Sequence, residues 1–98
     1  MIINLGIQVL PVQDSEKAYK IVDECIACIQ NSGVKYQVTP FETILEDEYK
    51  VVMHVFDQVF ELANTMSPET VIQARLHSKR NADVSAEEKT AKFQTPKD

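Results

Sequence analysis

Apolar and polar residues alternate at the start of the chain. Ile3, Leu5, Ile7 and Val9 occupy every second position and are separated by small or polar residues. A period of two is typical of a strand that buries one face. Pro11 ends this strand, because proline has no N–H to donate to a neighbouring strand.

The following segment has apolar residues three and four positions apart, which predicts a helix. The carboxylate of Asp14, or the hydroxyl of Ser15, can accept hydrogen bonds from the first free N–H groups of this helix. Gly33 can adopt the left-handed conformation that ends a helix. The apolar stripe of the helix consists of Ala18, Ile21, Val22, Cys25 and Ile29.

Two short alternating runs then flank a turn. Val34, Tyr36 and Val38 predict a second strand, and residues 43–46 predict a third. Pro40 presets φ for a turn between them, so the two strands are expected to form a hairpin.

A second helix and a fourth strand follow the hairpin. Asp47 and Glu48 place negative charge where the dipole of a helix favours it, at its N-terminus. Ser67-Pro68 ends the helix, and residues 71–77 alternate again. The apolar stripe of this helix consists of Val52, Val55, Phe56, Val59, Leu62, Ala63 and Met66.

The remainder of the chain is mostly polar. Ser85 can cap a short helix over residues 85–93, because Glu88 lies three positions later. We therefore predict one domain over residues 1–94, with a core at 1–80, a C-terminal extension that contains this helix, and a flexible tail at 95–98.

The order strand–helix–strand–strand–helix–strand predicts an α+β fold, the ferredoxin-like βαββαβ sandwich. Right-handed crossovers place the first and third strands at the centre of a four-stranded antiparallel sheet, with both helices on one face. The other face is expected to be open and polar, which suits either solvent or a second subunit. Because its polar residues are mostly uncharged amides, we favour oligomerisation. This face would carry Asn4, Gln8, Lys35, Gln37, Gln73, Arg75 and His77.

Composition narrows the classes of function. The net charge is −5, which disfavours nucleic acid, because affinity for phosphates comes largely from Lys and Arg. No apolar run approaches the ~20 residues of a membrane span, and the first residues lack the features of a signal peptide. We therefore expect a cytoplasmic protein without a membrane partner. Two cysteines are too few for a disulfide framework.

The sequence offers little catalytic chemistry. Cys25-x-x-Cys28 lies inside the first helix, where core packing explains it better than redox chemistry does. A zinc site would need His54 and His77 as well, and no metal site is predicted. No nucleophile with a base is apparent, and helix N-terminal charge already explains the acidic run at residues 46–48. We expect no catalytic residue and no enzymatic activity.

A polar and aromatic group surrounds the hairpin turn. It consists of Tyr36, Thr39, Phe41 and Thr43. Threonine hydroxyls both donate and accept, which suits a heteroaromatic ring with an amino group, and an aromatic side chain could stack on such a ring. The preference of Thr, Tyr and Phe for strands explains the same residues without a ligand.

Five short motifs occur along the chain in an order and spacing known from one family. On these motifs the chain resembles, over most of its length, the small thiamine-binding proteins of ferredoxin-like fold. The motifs are a strand ending in Pro11, Gly-x-Lys-Tyr from Gly33 to Tyr36, Pro-x-x-Thr from Pro40 to Thr43, a strand ending in acid at Glu46, and Glu-Glu-Lys followed by an apolar residue, at Glu87, Glu88, Lys89 and Phe93.

The resemblance implies a non-catalytic protein that binds thiamine or its hydroxymethylpyrimidine moiety as a carrier, buffer or sensor. It also implies a homo-oligomer, a dimer or a tetramer, that needs no cofactor besides thiamine as a ligand. Thr43 matches the family motif and is the first candidate for a ligand contact. Thr39, Phe41 and Gln8 are further candidates from their position, in a pocket at the sheet face and subunit interface.

A different class of function remains open. The ferredoxin-like fold supports many activities, so the chain could also be a regulatory or structural homo-oligomer that binds another small molecule or a protein. The residues at the turn depart from the resemblance, because Phe41 and Glu42 are larger than is usual there. The shape of the pocket, and with it the ligand, is therefore not fixed by the motifs.

Overall fold

The computed structural model describes residues 1–93. The predicted domain limit at residue 94 and the predicted flexible tail at 95–98 lie outside the described residues. The order of elements along the first 77 residues is the predicted one. The elements are β1 (Ile2–Pro11), α1 (Ser15–Asn31), β2 (Lys35–Val38), β3 (Thr43–Glu48), α2 (Tyr49–Met66), β4 (Thr70–His77) and α3 (Ala86–Thr90), with a 3₁₀ turn at Ala91–Phe93.

The four strands form one antiparallel sheet in the order β2-β3-β1-β4. This order confirms the ferredoxin-like α+β fold and the central position of the first and third strands. The register pairs Leu5 of β1 with Leu45 of β3 on one side and with Leu76 of β4 on the other. Apolar residues of adjacent strands therefore lie side by side on the same face.

The hydrophobic core lies between the sheet and the helices α1 and α2. Both predicted helical stripes supply buried side chains, including Cys25, which is 2% exposed. The helices bury the apolar residues of the central strands most completely. The apolar residues of the edge strand β2 remain exposed. The core cluster consists of Ile3, Leu5, Ile7, Ile21, Cys25, Ile29, Val34, Leu45, Val52, Val55, Val59 and Ala63.

Local sequence signals explain where two of the helices begin. The Asp14 carboxylate accepts a hydrogen bond of 3.0 Å from the backbone N–H of Lys17, and so caps α1 as predicted. The hydroxyl of Ser85 accepts from the N–H of Glu88 at 3.3 Å and caps α3. At α2, Glu48 occupies the cap position without a side-chain hydrogen bond to the helix.

Gly33 has a φ of +84° at the end of α1, in the left-handed region that residues with a Cβ disfavour. No heavy atom lies within 4 Å of the position that a Cβ would occupy, so a substitution there meets no steric obstacle. We expect Gly33→Ala to lower the free energy of unfolding by about 1–2 kcal/mol, through backbone strain alone. Urea denaturation measures this, and Gly33→Asn is the control, because asparagine tolerates the left-handed region. An equal loss in both variants would contradict the explanation.

The second face of the sheet is partly covered. By strand alternation it carries the seven predicted polar residues together with Gly6, Ile44 and Glu46. After β4 the chain returns to the start of β1, where the N–H of Val84 donates to the carbonyl of Ile2 at 3.0 Å. The α3 segment then lies over this face, held by side chains from the sheet. We call this surface the open face, since α3 covers only part of it.

Candidate functional site

A cavity of about 230 Å³ lies where the turn of the hairpin approaches α1. One wall comes from the helix, through Tyr19, Val22 and Ile26. The opposite wall comes from the end of β1 and from residues 38–43 of the hairpin. The cavity therefore lies between the sheet and α1, at one end of the core.

All four candidate ligand contacts line this cavity, namely Thr43, Thr39, Phe41 and Gln8. Thr43 is 5% exposed and pairs with Ile7, so its side chain lies on the helix side of the sheet. The location therefore differs from the expected one, which was the other face. The reason is the two-residue period of the strand, which places Thr43 on the same side as Leu45. Because side chains alternate between the two faces along β1, the side chain of Gln8 lies on the open face.

The hydroxyl of Thr39 is committed to the turn. It donates to the carbonyl of Glu42 at 2.7 Å and accepts from the N–H groups of Phe41 and Glu42, at 3.3 and 3.1 Å. Thr39 therefore shapes the turn that forms one wall of the cavity. By contrast, the hydroxyl of Thr43 takes part in none of the side-chain hydrogen bonds found within residues 1–93, which leaves it free for a ligand.

Two exposed aromatic rings belong to the lining of this cavity. Phe41 is 79% exposed on the turn, and Tyr19 is 71% exposed on α1. Sequence reasoning missed Tyr19. Its spacing contained the signal, because Tyr19, Val22 and Ile26 follow one another at three and four residues along one helix face. Tyr36 of the hairpin group is not among the residues that line the cavity.

The two acidic residues beside the hairpin are both paired. Glu42 lies over Gly6 and accepts a hydrogen bond of 2.7 Å from Nη2 of Arg75. Glu46 pairs with Lys35 at 2.8 Å on the open face. Neither carboxylate is an unpaired negative charge for a cationic ligand.

Glu46 is the centre of a polar network that holds α3. Its Oε1 accepts from the side-chain amide of Asn4 at 2.9 Å and from the N–H of Ala86 at 2.7 Å. The ammonium of Lys35 and the amide of Asn4 lower the pKa of Glu46 to about 2. The carboxylate is therefore ionised at neutral pH and tied to two strands and to the C-terminal segment.

The cysteines and histidines do not form a reactive centre. Burial raises the pKa of the Cys25 thiol to about 11, so it is protonated at neutral pH, as a core residue should be. His54 is exposed on α2 and His77 is exposed on β4. Within residues 1–93, no group of three or more His, Cys, Asp or Glu side chains is placed to hold a metal ion.

Residues 5–94 match the family model described as thiamine-binding protein. The chain belongs to this family. The family resemblance drawn from the five motifs is thereby confirmed. A member of UPF0045 from Clostridium perfringens is 27% identical over 90 residues, which cover 92% of this chain and 95% of that protein.

Solved structures share the fold over nearly the whole chain. A Thermotoga maritima protein, provisionally named as a thiamine biosynthesis/salvage protein, superposes with a TM-score of 0.89 at 23% identity and covers 96% of this chain and all (100%) of that one. A domain of unknown function from Bacillus cereus reaches a TM-score of 0.87 at 26% identity, over 96% of this chain and 91% of that one. Among the described helices, none has the length and apolar character needed to cross a bilayer.

Proposed function

We propose that the protein binds thiamine through its hydroxymethylpyrimidine moiety, in the cavity between α1 and the hairpin turn. The observation that carries this proposal is the convergence of Thr43, Thr39 and Phe41 on one cavity in a member of the thiamine-binding family. Thr43 was selected from a motif and Thr39 and Phe41 from position, yet all three line the same cavity, whereas Gln8 borders it while its side chain lies on the open face.

The size and chemistry of the cavity favour the pyrimidine end of the ligand. Its volume, about 230 Å³, is below the ~300–1,000 Å³ typical of sites for larger ligands. The Thr43 hydroxyl can donate to a ring nitrogen or accept from an amino group. Val22 and Ile26 supply apolar walls, and the exposed Phe41 ring can stack on a heteroaromatic ring. The charged thiazolium ring would remain near solvent.

The role that fits this site is that of a cytoplasmic carrier, buffer or sensor without catalysis. The thiol of Cys25 is protonated and buried in the core, and the carboxylate of Glu46 is fixed in a structural network. Neither group is available as a nucleophile or base beside the cavity. The proposal therefore assigns binding alone to this site.

We further propose that the protein works as a homo-oligomer, a dimer or a tetramer. Exposed amides of Gln37 and Gln73 and the exposed Val71 lie on the open face. The cores of protein interfaces are depleted in charged residues, so this uncharged part of the open face is the part that we expect to meet a second copy. Sedimentation equilibrium tests this, and a monomer at high micromolar concentration would contradict it.

Isothermal titration calorimetry with thiamine, and with hydroxymethylpyrimidine in parallel, tests the binding proposal. Saturable binding of both ligands at micromolar concentration, ~8 kcal/mol of free energy, supports it. Absence of heat with both, across two temperatures, would contradict it. The ligand would then belong to another class, as expected for a regulatory oligomer that binds a different molecule.

Thr43→Val separates the assigned cavity from other places where thiamine could bind. Valine has nearly the shape of threonine and lacks the hydroxyl, so the polar edge of the pyrimidine loses its partner. We expect about tenfold weaker binding of both ligands. Thr65→Val on α2 removes an exposed hydroxyl that does not line the cavity and should leave the affinity unchanged. Equal affinities for Thr43→Val and the unsubstituted protein would place the site elsewhere.

A further inference from the structure

The α3 segment divides the open face into two cavities. One, of about 530 Å³, lies over the hairpin and includes Lys35, Gln37 and Glu46 in its lining. The other, of about 380 Å³, lies between α3 and the β1–β4 half of the sheet. We call the second one the β4 cavity. It lies on the opposite face of the sheet from the cavity that contains Thr43.

The β4 cavity collects cationic and hydrogen-bonding side chains from different elements. Arg75 and His77 come from β4, Lys89 comes from α3, and Asn4 comes from β1. The floor at Gly6 has no side chain, and a Cβ there would overlap the carboxylate of Glu42. The glycine therefore leaves room for the Glu42 carboxylate, which lies over this part of the floor.

The balance of charge in this cavity differs from that of the whole protein. Arg75 is paired with Glu42 at 2.7 Å. Within residues 1–93, the one partner found for the ammonium of Lys89 is the neutral Oδ1 of Asn4, at 3.1 Å. The nearby charge of Glu46 is balanced by Lys35. The β4 cavity thus has a surplus cation in a chain whose net charge is −5.

We propose that the β4 cavity binds the phosphate group of a phosphate monoester or free phosphate. The ammonium of Lys89 has two donors left after its bond to Asn4, and the guanidinium of Arg75 has further N–H groups beyond the Nη2 that meets Glu42. Donors that approach from a strand and from a helix suit a tetrahedral oxyanion, which presents oxygens in several directions. A planar carboxylate presents only two.

Glu42 takes part in this site as a competitor. Its carboxylate occupies Arg75 when no anion is bound, and the side chain of Arg75 is 82% exposed, so the ion pair is easily exchanged. An incoming phosphate would take over the guanidinium. Removal of the carboxylate should therefore strengthen anion binding, whereas a merely structural role for Glu42 predicts no such gain.

The test is a titration of the ¹⁵N-labelled protein with inorganic phosphate at pH 7 and constant ionic strength, followed by amide chemical shifts. We expect saturable shifts at Gly6, Arg75, His77 and Lys89. Lys89→Gln can keep a hydrogen bond to Asn4 and removes the charge, so it should weaken binding about tenfold. Lys50→Gln on α2 is the matched control and should bind as the unsubstituted protein does.

Further titrations, with a Glu42 variant and with other anions, identify the class of ligand. Glu42→Gln should bind phosphate several-fold more tightly. Tighter binding of glycerol 2-phosphate than of inorganic phosphate would assign the site to monoesters, and the reverse would assign it to the free ion. The proposal is overturned if shifts do not saturate, if Lys89→Gln and Lys50→Gln behave alike, or if acetate binds as well as phosphate. The comparison of Lys89→Gln with Lys50→Gln is independent of thiamine binding, because neither lysine lines the cavity that contains Thr43, whereas Glu42 lines both cavities.

Discussion

Leu45→Ala should lower the free energy of unfolding by about 2–5 kcal/mol. Leu45 is 1% exposed in the central strand β3, where it pairs with Leu5 of β1 and with Tyr36 of β2. Its side chain belongs to the core cluster beneath the helices. Truncation there removes apolar burial and leaves a cavity that neighbours from two strands cannot fill. Urea denaturation, with circular dichroism as the readout, measures the loss.

Leu76→Ala is the matched control for this prediction. Leu76 pairs with the same residue, Leu5, but lies on the edge strand β4 and is 45% exposed. Its truncation should cost about 1 kcal/mol or less. In a domain of this size each kcal/mol moves Tm by about 4–8 °C, so Leu45→Ala should melt at least ~8 °C lower. Similar losses in the two variants would show that the centre of the sheet is not the most tightly packed region.

Glu46→Gln should lower the free energy of unfolding by about 1–3 kcal/mol at pH 7, and this loss should disappear in acid. The carboxylate has a side-chain exposure of 10% and binds Lys35, Asn4 and the N–H of Ala86. Its partner Lys35 is 71% exposed, so solvent screens part of the ion pair and the lower end of the range is favoured. Glutamine keeps the size of the side chain and removes the charge.

The direction of the pH effect follows from the lowered pKa of Glu46, about 2 against 4.5 for an ordinary glutamate. The stabilisation is fully present above pH ~5 and is lost as the pH falls from there through about 2, because the unfolded chain takes up the proton first. Urea denaturation of both proteins between pH 7 and pH 2 measures it. Glu61→Gln, an exposed site on α2, should show no such convergence. A constant difference between Glu46→Gln and the unsubstituted protein would contradict the mechanism.

The fold could be predicted because its signals are local. Asp14 caps α1, Gly33 ends it with a positive φ, and Pro11 limits β1. Each signal acts within a few residues, and the helical and strand periods between them identify the buried faces. The order of elements then left few topologies consistent with right-handed crossovers.

The sequence identified Thr43, Thr39 and Phe41, which line one cavity, but not the side of the sheet on which Thr43 lies. The motif identified Thr43, and the pairing of Thr43 with Ile7 shows that it faces the helices. The sequence already indicated this face, because Leu45 is an apolar residue two positions after Thr43. Side chains two residues apart in a strand lie on the same face. Tyr19 was missed because its contribution depends on how closely α1 approaches the turn.

The cover over the open face could not be predicted from periodicity. The α3 helix buries none of its own residues, and Val84 just before it is the buried anchor of this segment. Its remaining ties are polar contacts across long sequence separations, such as Lys89 to Asn4 and Ala86 to Glu46. Hydrogen bonds of this kind leave no repeating pattern in a sequence, so only the three-dimensional structure reveals them.

The central position of β1 has a consequence for the order in which the sheet assembles during synthesis. Ile7 pairs with Thr43 on one side and with Ala74 on the other. A nascent chain can therefore join β1 to the hairpin well before β4 has left the ribosome, and one long edge of β1 stays without a neighbour in the meantime. The pairing of β4 with this edge joins residues far apart in the sequence, and contacts of this nonlocal kind form slowly. The last strand translated then becomes the border of the finished sheet.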